Sequence, residues 1–80
     1  MPKLPVVSGK KLIKMLKYLH YEVVRQRGSH VRLQKQTELG EHKITIPDHK
    51  EIAKGTLNDI LLKVSLWNSI SRDELIKLLK

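Results

Sequence analysis

Apolar residues change their period along this 80-residue chain, and each change marks an element. After Ser8, a natural N-cap, Leu12, Ile13, Leu16 and Leu19 recur at helical spacing, with Lys10, Lys11, Lys14 and Lys17 on the other side. This predicts a helix running to about Tyr18 or Leu19, whose lysines form a solvated face. Met1 to Val7 reads as an extended lead-in, because Pro2 and Pro5 discourage helix. From Tyr21 the pattern becomes an alternation, predicting strands over 21–27 and 30–35. A loop over 36–41, turning at Gly40, leads to a third strand over 42–46, where Ile44 and Ile46 alternate with Lys43 and Thr45. Pro47 ends it, since proline cannot donate a ladder hydrogen bond. Helical spacing then returns with Leu57, Ile60, Leu61 and Val64, in a helix opened by Gly55 and Thr56. Thr56 to Asp59 is a loose capping box, with Asp where Glu is preferred. Ser65 to Ile70 reads as a connector, with Trp67 packed over the domain edge. Ser71-Arg72-Asp73-Glu74 is a better capping box, starting a short last helix that turns Leu75, Leu78 and Leu79 inward. The expected fold is α+β in the order α-β-β-β-α-α. A three-stranded antiparallel sheet carries helices on its one apolar face.

The most informative stretch is Arg25-Gln26-Arg27-Gly28-Ser29-His30-Val31-Arg32-Leu33. Gly-Ser between two strand-like runs is a two-residue hairpin signal, since glycine tolerates the positive φ of a type II′ turn. Counting outward sets Arg27 opposite His30, Gln26 opposite Val31, Arg25 opposite Arg32 and Val24 opposite Leu33. Opposed residues share a face, so one face carries Arg25, Arg27, His30 and Arg32, and the other Val24, Val31 and Leu33. Directly opposed arginines repel, and a strand pair that keeps them breaks its own folding logic, as functional sites often do. Three guanidiniums around one imidazole suit a phosphate with a titratable group beside it.

Length and composition narrow the classes. Eighty residues make one domain, 1–80, with a modest core. With no Cys, neither disulfides nor a thiolate metal site can reinforce it. The apolar runs are far too short to span a membrane, and Met1 to Val7 lacks the apolar region of a signal peptide. Sixteen Lys and Arg against eight Asp and Glu leave a net charge of +8, which favours nucleic acid or an acidic protein as partner. Nothing matches a P-loop, a dinucleotide fingerprint, a zinc finger or a serine-triad signature.

With the residues so arranged, the chain resembles the HicA-type toxins, the small mRNA interferases of HicAB toxin–antitoxin modules. The matching stretches are Pro-Val-Val-Ser-Gly-Lys at 5–10, Val-Val-Arg-Gln-Arg-Gly-Ser-His-Val-Arg-Leu at 23–33, Ile-Thr-Ile-Pro-Asp-His at 44–49 and Lys-Gly-Thr-Leu-Asn-Asp-Ile-Leu at 54–61. The resemblance implies a fold similar to double-stranded-RNA-binding domains, cleavage of mRNA in the cytoplasm, and a HicB-type antitoxin that occludes the site. It implies a monomer when free and a hetero-oligomer with that antitoxin. The family's catalytic histidine maps onto His30. Two departures stand out: His20 occupies a place where glycine commonly closes the first helix, and the 65–71 connector is longer than the family's usual Gly-Ile-Ser.

The expected chemistry needs no metal or other cofactor, because RNA carries its own nucleophile, the 2′-hydroxyl. His30 would serve as general acid or base. Arg25, Arg27, Gly28, Ser29, Arg32, Lys35 and Lys54 form the expected RNA- or phosphate-binding set. For a second proton-transfer group, His49, Lys35 and water are all open. The competing class is a non-catalytic double-stranded-RNA-binding module using Lys50 and Lys54 before the second long helix. A DNA-reading helix-turn-helix at the C-terminus fits poorly, since its last helix is short and exposes Asp73 and Glu74.

Overall fold

A computed structural model describes residues 4–80, so Pro2 lies outside the described residues. The elements are α1 (Gly9–Tyr18), β1 (Glu22–Arg27), β2 (His30–Thr37), β3 (Gly40–Pro47), α2 (Lys54–Asn68) and α3 (Arg72–Leu78). The order is the expected α-β-β-β-α-α, and the strands form one antiparallel sheet in the order β1-β2-β3.

The periodicities explain which sides are buried. Val31 and Leu33 of β2 and Ile44 and Ile46 of β3 join Leu12, Leu16, Leu57, Leu61, Val64 and Leu75 in one apolar cluster between sheet and helices. Intervening residues such as Arg32, Lys43 and Thr45 are exposed on the other face. Two helix starts use hydroxyl caps: Ser8 Oγ accepts from the Lys11 N–H at 3.1 Å, and Ser71 Oγ from the Glu74 N–H at 3.2 Å. The capping box at Ser71 is only half made, since the Glu74 carboxylate meets Lys77 instead.

Several sequence expectations need correction. No loop spans 36–41; β2 and β3 run on to a tight turn at Glu38-Leu39, with Thr37 paired to Gly40. Thr37 Oγ1 closes this turn, donating to the Gly40 carbonyl at 2.8 Å and accepting from the Leu39 N–H at 3.1 Å. Helix α2 starts at Lys54 with Ala53 at its N-cap and no side-chain cap bond, so Thr56 does not open it. At its other end α2 continues through Trp67 and Asn68, and the connector shrinks to the residues after Asn68. In α3, Leu78, expected to turn inward, is 41% exposed, and Ile76 is buried instead.

The hairpin register is the expected one for Arg27↔His30, Gln26↔Val31 and Arg25↔Arg32, but Leu33 faces Val23 rather than Val24. A β-bulge between Val23 and Arg25 leaves Val24 unpaired. Its inward burial fails for a further reason. Every residue of β1 is exposed, with Val23 at 41% and Val24 at 44%, because the helices cover β2 and β3 and leave β1 open.

Candidate functional site

The site is the open face of the hairpin. Gly28 takes φ +59° while Ser29 keeps negative φ, which suits the type II′ turn read from Gly-Ser. A Cβ at Gly28 would meet nothing within 4 Å, so its need for glycine is conformational rather than steric. The turn then delivers His30 as the first residue of β2, cross-strand from Arg27 on one side and Pro47 on the other. One rung further in, Arg25 and Arg32 oppose each other, flanked by Thr45 of β3. All four side chains are exposed. No carboxylate pairs with any of the three arginines among the described residues. The acids of this face, Glu22 and Glu41, stand further along the strands, and Glu41 is engaged by Lys43 at 3.3 Å. The face is therefore electrically lopsided, with its cations gathered at the His30 end.

The hairpin tip is braced from behind. The Asp48 N–H donates to the Ser29 carbonyl at 2.6 Å, and the Gly9 N–H donates to the His49 carbonyl at 2.8 Å. Gly9 is required there: a Cβ would fall on the Pro47 carbonyl oxygen and 2.8 Å from the Asp48 Cα. The start of α1, the 47–49 loop and the turn before His30 thus form one chain of contacts. His49, exposed, is carried by that loop.

Two residues of the expected binding set lie apart from this cluster. Lys35 shares the parity of Val31 and Leu33 along β2, and it faces the helices. Its ammonium donates to Asn68 Oδ1 at 2.5 Å and lies 5.7 Å from the centre of the Tyr21 ring. Lys54 is the first residue of α2, exposed, beyond the 48–53 loop, and makes no side-chain hydrogen bond or ion pair among the described residues.

The expectation also missed a polar group in the core. His42 is 5% exposed, and its Nδ1 shares a hydrogen bond with the Tyr21 hydroxyl at 2.6 Å. The Asn68 amide donates to that hydroxyl at 2.9 Å and to the Val64 carbonyl at 2.9 Å. The Trp67 ring lies flat on His42, with centroids 4.8 Å apart and planes 5° from parallel. Burial lowers the His42 pKa below 6.5, and the nearby Lys63 charge adds to the effect. Burial likewise raises that of Tyr21, against a smaller opposite pull from its Asn68 hydrogen bond. The signal was present: the alternation of Ile44 and Ile46 extends back to His42.

An exposed histidine thus stands beside three guanidiniums that have no carboxylate partner among the described residues, on one face of an α+β sheet domain. The family model described as HicA toxin of bacterial toxin–antitoxin matches residues 9–66, which covers α1, all three strands and most of α2. The chain belongs to the HicA toxin family. Searches of curated proteins and of solved structures returned no match. Among the described residues no helix is long and apolar enough to cross a membrane, and no group of His, Cys, Asp and Glu is arranged to hold a metal ion.

Proposed function

We propose that this toxin is an mRNA-cleaving endoribonuclease in which His30 moves the proton. Supporting this most directly is the position of His30, open to solvent and set among Arg25, Arg27 and Arg32, with no carboxylate paired to them among the described residues. In the reaction His30 removes the 2′-hydroxyl proton. The 2′ oxygen attacks the adjacent phosphorus, and the bond to the 5′ oxygen breaks as that oxygen takes up a proton. The products are a 2′,3′-cyclic phosphate and a 5′-hydroxyl. The guanidiniums hold the phosphate oxygens as their charge builds up. His49, carried by the loop braced against Ser29, is one candidate to protonate the leaving oxygen, and water is another. The activity belongs in the cytoplasm, where mRNA is met. A HicB-type antitoxin would silence it by covering the same face with acidic groups.

The second reading, a duplex-RNA-binding module, has one observation in its favour: Lys50 before α2 and Lys54 at its first position are exposed, at a helix start that lacks a side-chain cap. It leaves the imidazole inside the arginine cluster without a role.

His30→Ala separates the two. Loss of a general acid–base group should slow cleavage by ~10²–10⁴-fold, roughly 3–5 kcal/mol in the barrier. An exposed substitution of this kind should shift stability by only ~0.5 kcal/mol. Cleavage of wild-type protein should persist in EDTA, give 5′-hydroxyl ends, and stop when the nucleotide at the cut lacks its 2′-hydroxyl. Full activity in folded His30→Ala protein would end the catalytic assignment, and RNA binding without cleavage would favour the module.

A further inference from the structure

On its helix side, β1 borders an open groove of ≈ 600 Å³, which exists because no helix covers that strand. One wall is a stripe of α1: Lys10, Lys14 and Lys17. The floor is apolar, made by Ile13, Val23 and Val31, and the Gln26 amide stands on the β1 side. Helix α1 contains no acidic residue, and none of the three lysines is in an ion pair among the described residues. Like charges at i, i+4 destabilise a helix, so this stripe, like the Arg25/Arg32 pair, is kept against local folding preference. Asp48 is the one carboxylate at the groove, and it belongs to the loop that braces Ser29 behind His30.

We infer that this groove is a second RNA-backbone site, holding the phosphodiester chain that flanks the nucleotide cut at His30. The inference rests on the RNA-cleaving reading and extends it from one phosphate to a track. Cations lie on both sides of the same edge strand: Arg25 and Arg27 on its open face, the lysine stripe on its helix side. A flexible polymer with a charge on every unit can turn around the hairpin and meet both, as a single-stranded RNA backbone does. The lysines span ~10 Å of helix at 1.5 Å per residue, with ~6 Å between Lys10 and Lys14, a spacing that serves successive phosphates of an extended strand. The apolar floor gives riboses and base faces a surface, and the Gln26 amide offers both a donor and an acceptor.

The test compares a trinucleotide with an RNA about twelve nucleotides long, within the range single-stranded sites occupy. The variant is the double change Lys10→Gln/Lys17→Gln. It removes one cation from each end of α1, so the two helix-dipole effects offset and melting temperature should hold. Wild-type protein should prefer the longer RNA in kcat/KM. In the double variant that preference should collapse, and the slope of log affinity against log salt for the longer RNA should flatten by roughly 1.4, about 0.7 for each lysine lost. Lys11→Gln, on the side of α1 that faces Tyr18 and Leu78, should leave both readings in place. An unchanged slope, or equal loss on both RNAs, overturns the groove assignment. So does unchanged RNA binding with weakened binding to the cognate antitoxin, which would give the groove to the protein partner. If wild-type protein cleaves neither RNA yet the lysine-dependent slope remains, the groove stands and the cleavage reading falls.

Discussion

His20 holds a backbone conformation that side chains resist, with φ +76°. It sits one residue past the α1 C-cap, where the Tyr21 N–H reaches back to the Leu16 carbonyl at 2.9 Å and the His20 N–H to the Lys17 carbonyl at 3.0 Å. This pairing of bonds closes many helices, and it favours glycine because the left-handed region crowds a Cβ. His20→Gly should therefore stabilise the fold by up to ~1 kcal/mol, after the extra freedom glycine gives the unfolded chain. For a domain of this size that is a rise of ~4–8 °C in melting temperature per kcal/mol. A lower melting point would show that the imidazole makes compensating contacts. The strain was visible as a departure from the family pattern at position 20. His30 was legible too, because one Gly-Ser turn fixes which strand residues oppose each other. Lys35 was legible in principle, since it shares the parity of Val31 and Leu33, yet its charge outweighed its parity in the reading.

At the scale of elements, what stayed hidden was the join between α2 and the sheet. Ser65-Leu66-Trp67-Asn68 contains nothing that demands helix, and a strand-initial His42 looks like a surface residue. Each makes sense only with the other: Trp67 stacks on His42, and Asn68 ties Tyr21 to Lys35. The Val24 bulge was equally silent, because every residue of β1 is exposed and no buried face marks a change of phase. The join makes a prediction about pH. His42 is neutral in the fold, with its pKa lowered by burial first and the Lys63 charge second, while Lys35 brings a further cation to the Tyr21–Asn68 network around it. The unfolded chain takes up a proton near 6.5 and the folded one only at lower pH. Protons therefore favour unfolding: the stabilisation is fully present above about 6.5 and is lost as pH falls through and below that value. Melting temperature should drop on acidification through this window. In His42→Gln, less stable at neutral pH, that component of the drop should vanish. A pH dependence identical in the two proteins would mean that His42 is not the group that titrates.

At the scale of the whole molecule, a net charge of +8 is distributed with a direction. The open sheet face gathers Arg25, Arg27 and Arg32 at the His30 end and leaves Glu22 and Glu41 at the other. Self-repulsion of this kind weakens a small fold and strengthens its hold on a polyanion, and both effects run through the same side chains. The Arg25/Arg32 pair is the place to measure the exchange, because the two are directly opposed across the ladder and neither has an acidic partner among the described residues. Like charges so placed destabilise a strand pair by ~0.2–1 kcal/mol. Arg32→Gln should therefore raise the melting temperature at low salt, and the gain should shrink as salt rises, since a Debye length of ~10 Å at 0.1 M screens exposed charges. RNA binding should move the other way. Each arginine that contacts a phosphate contributes ~0.7–0.9 to the slope of log affinity against log salt, and Arg25→Gln and Arg32→Gln should each flatten that slope by about this amount. Neither change should do so through unfolding, since the same proteins are expected to be more stable. Two proteins that melt higher and bind RNA with an unaltered slope would reduce the arginine face to a solvated surface. Two that melt higher and bind less steeply would show that repulsion is held in this hairpin for the sake of the phosphate it receives.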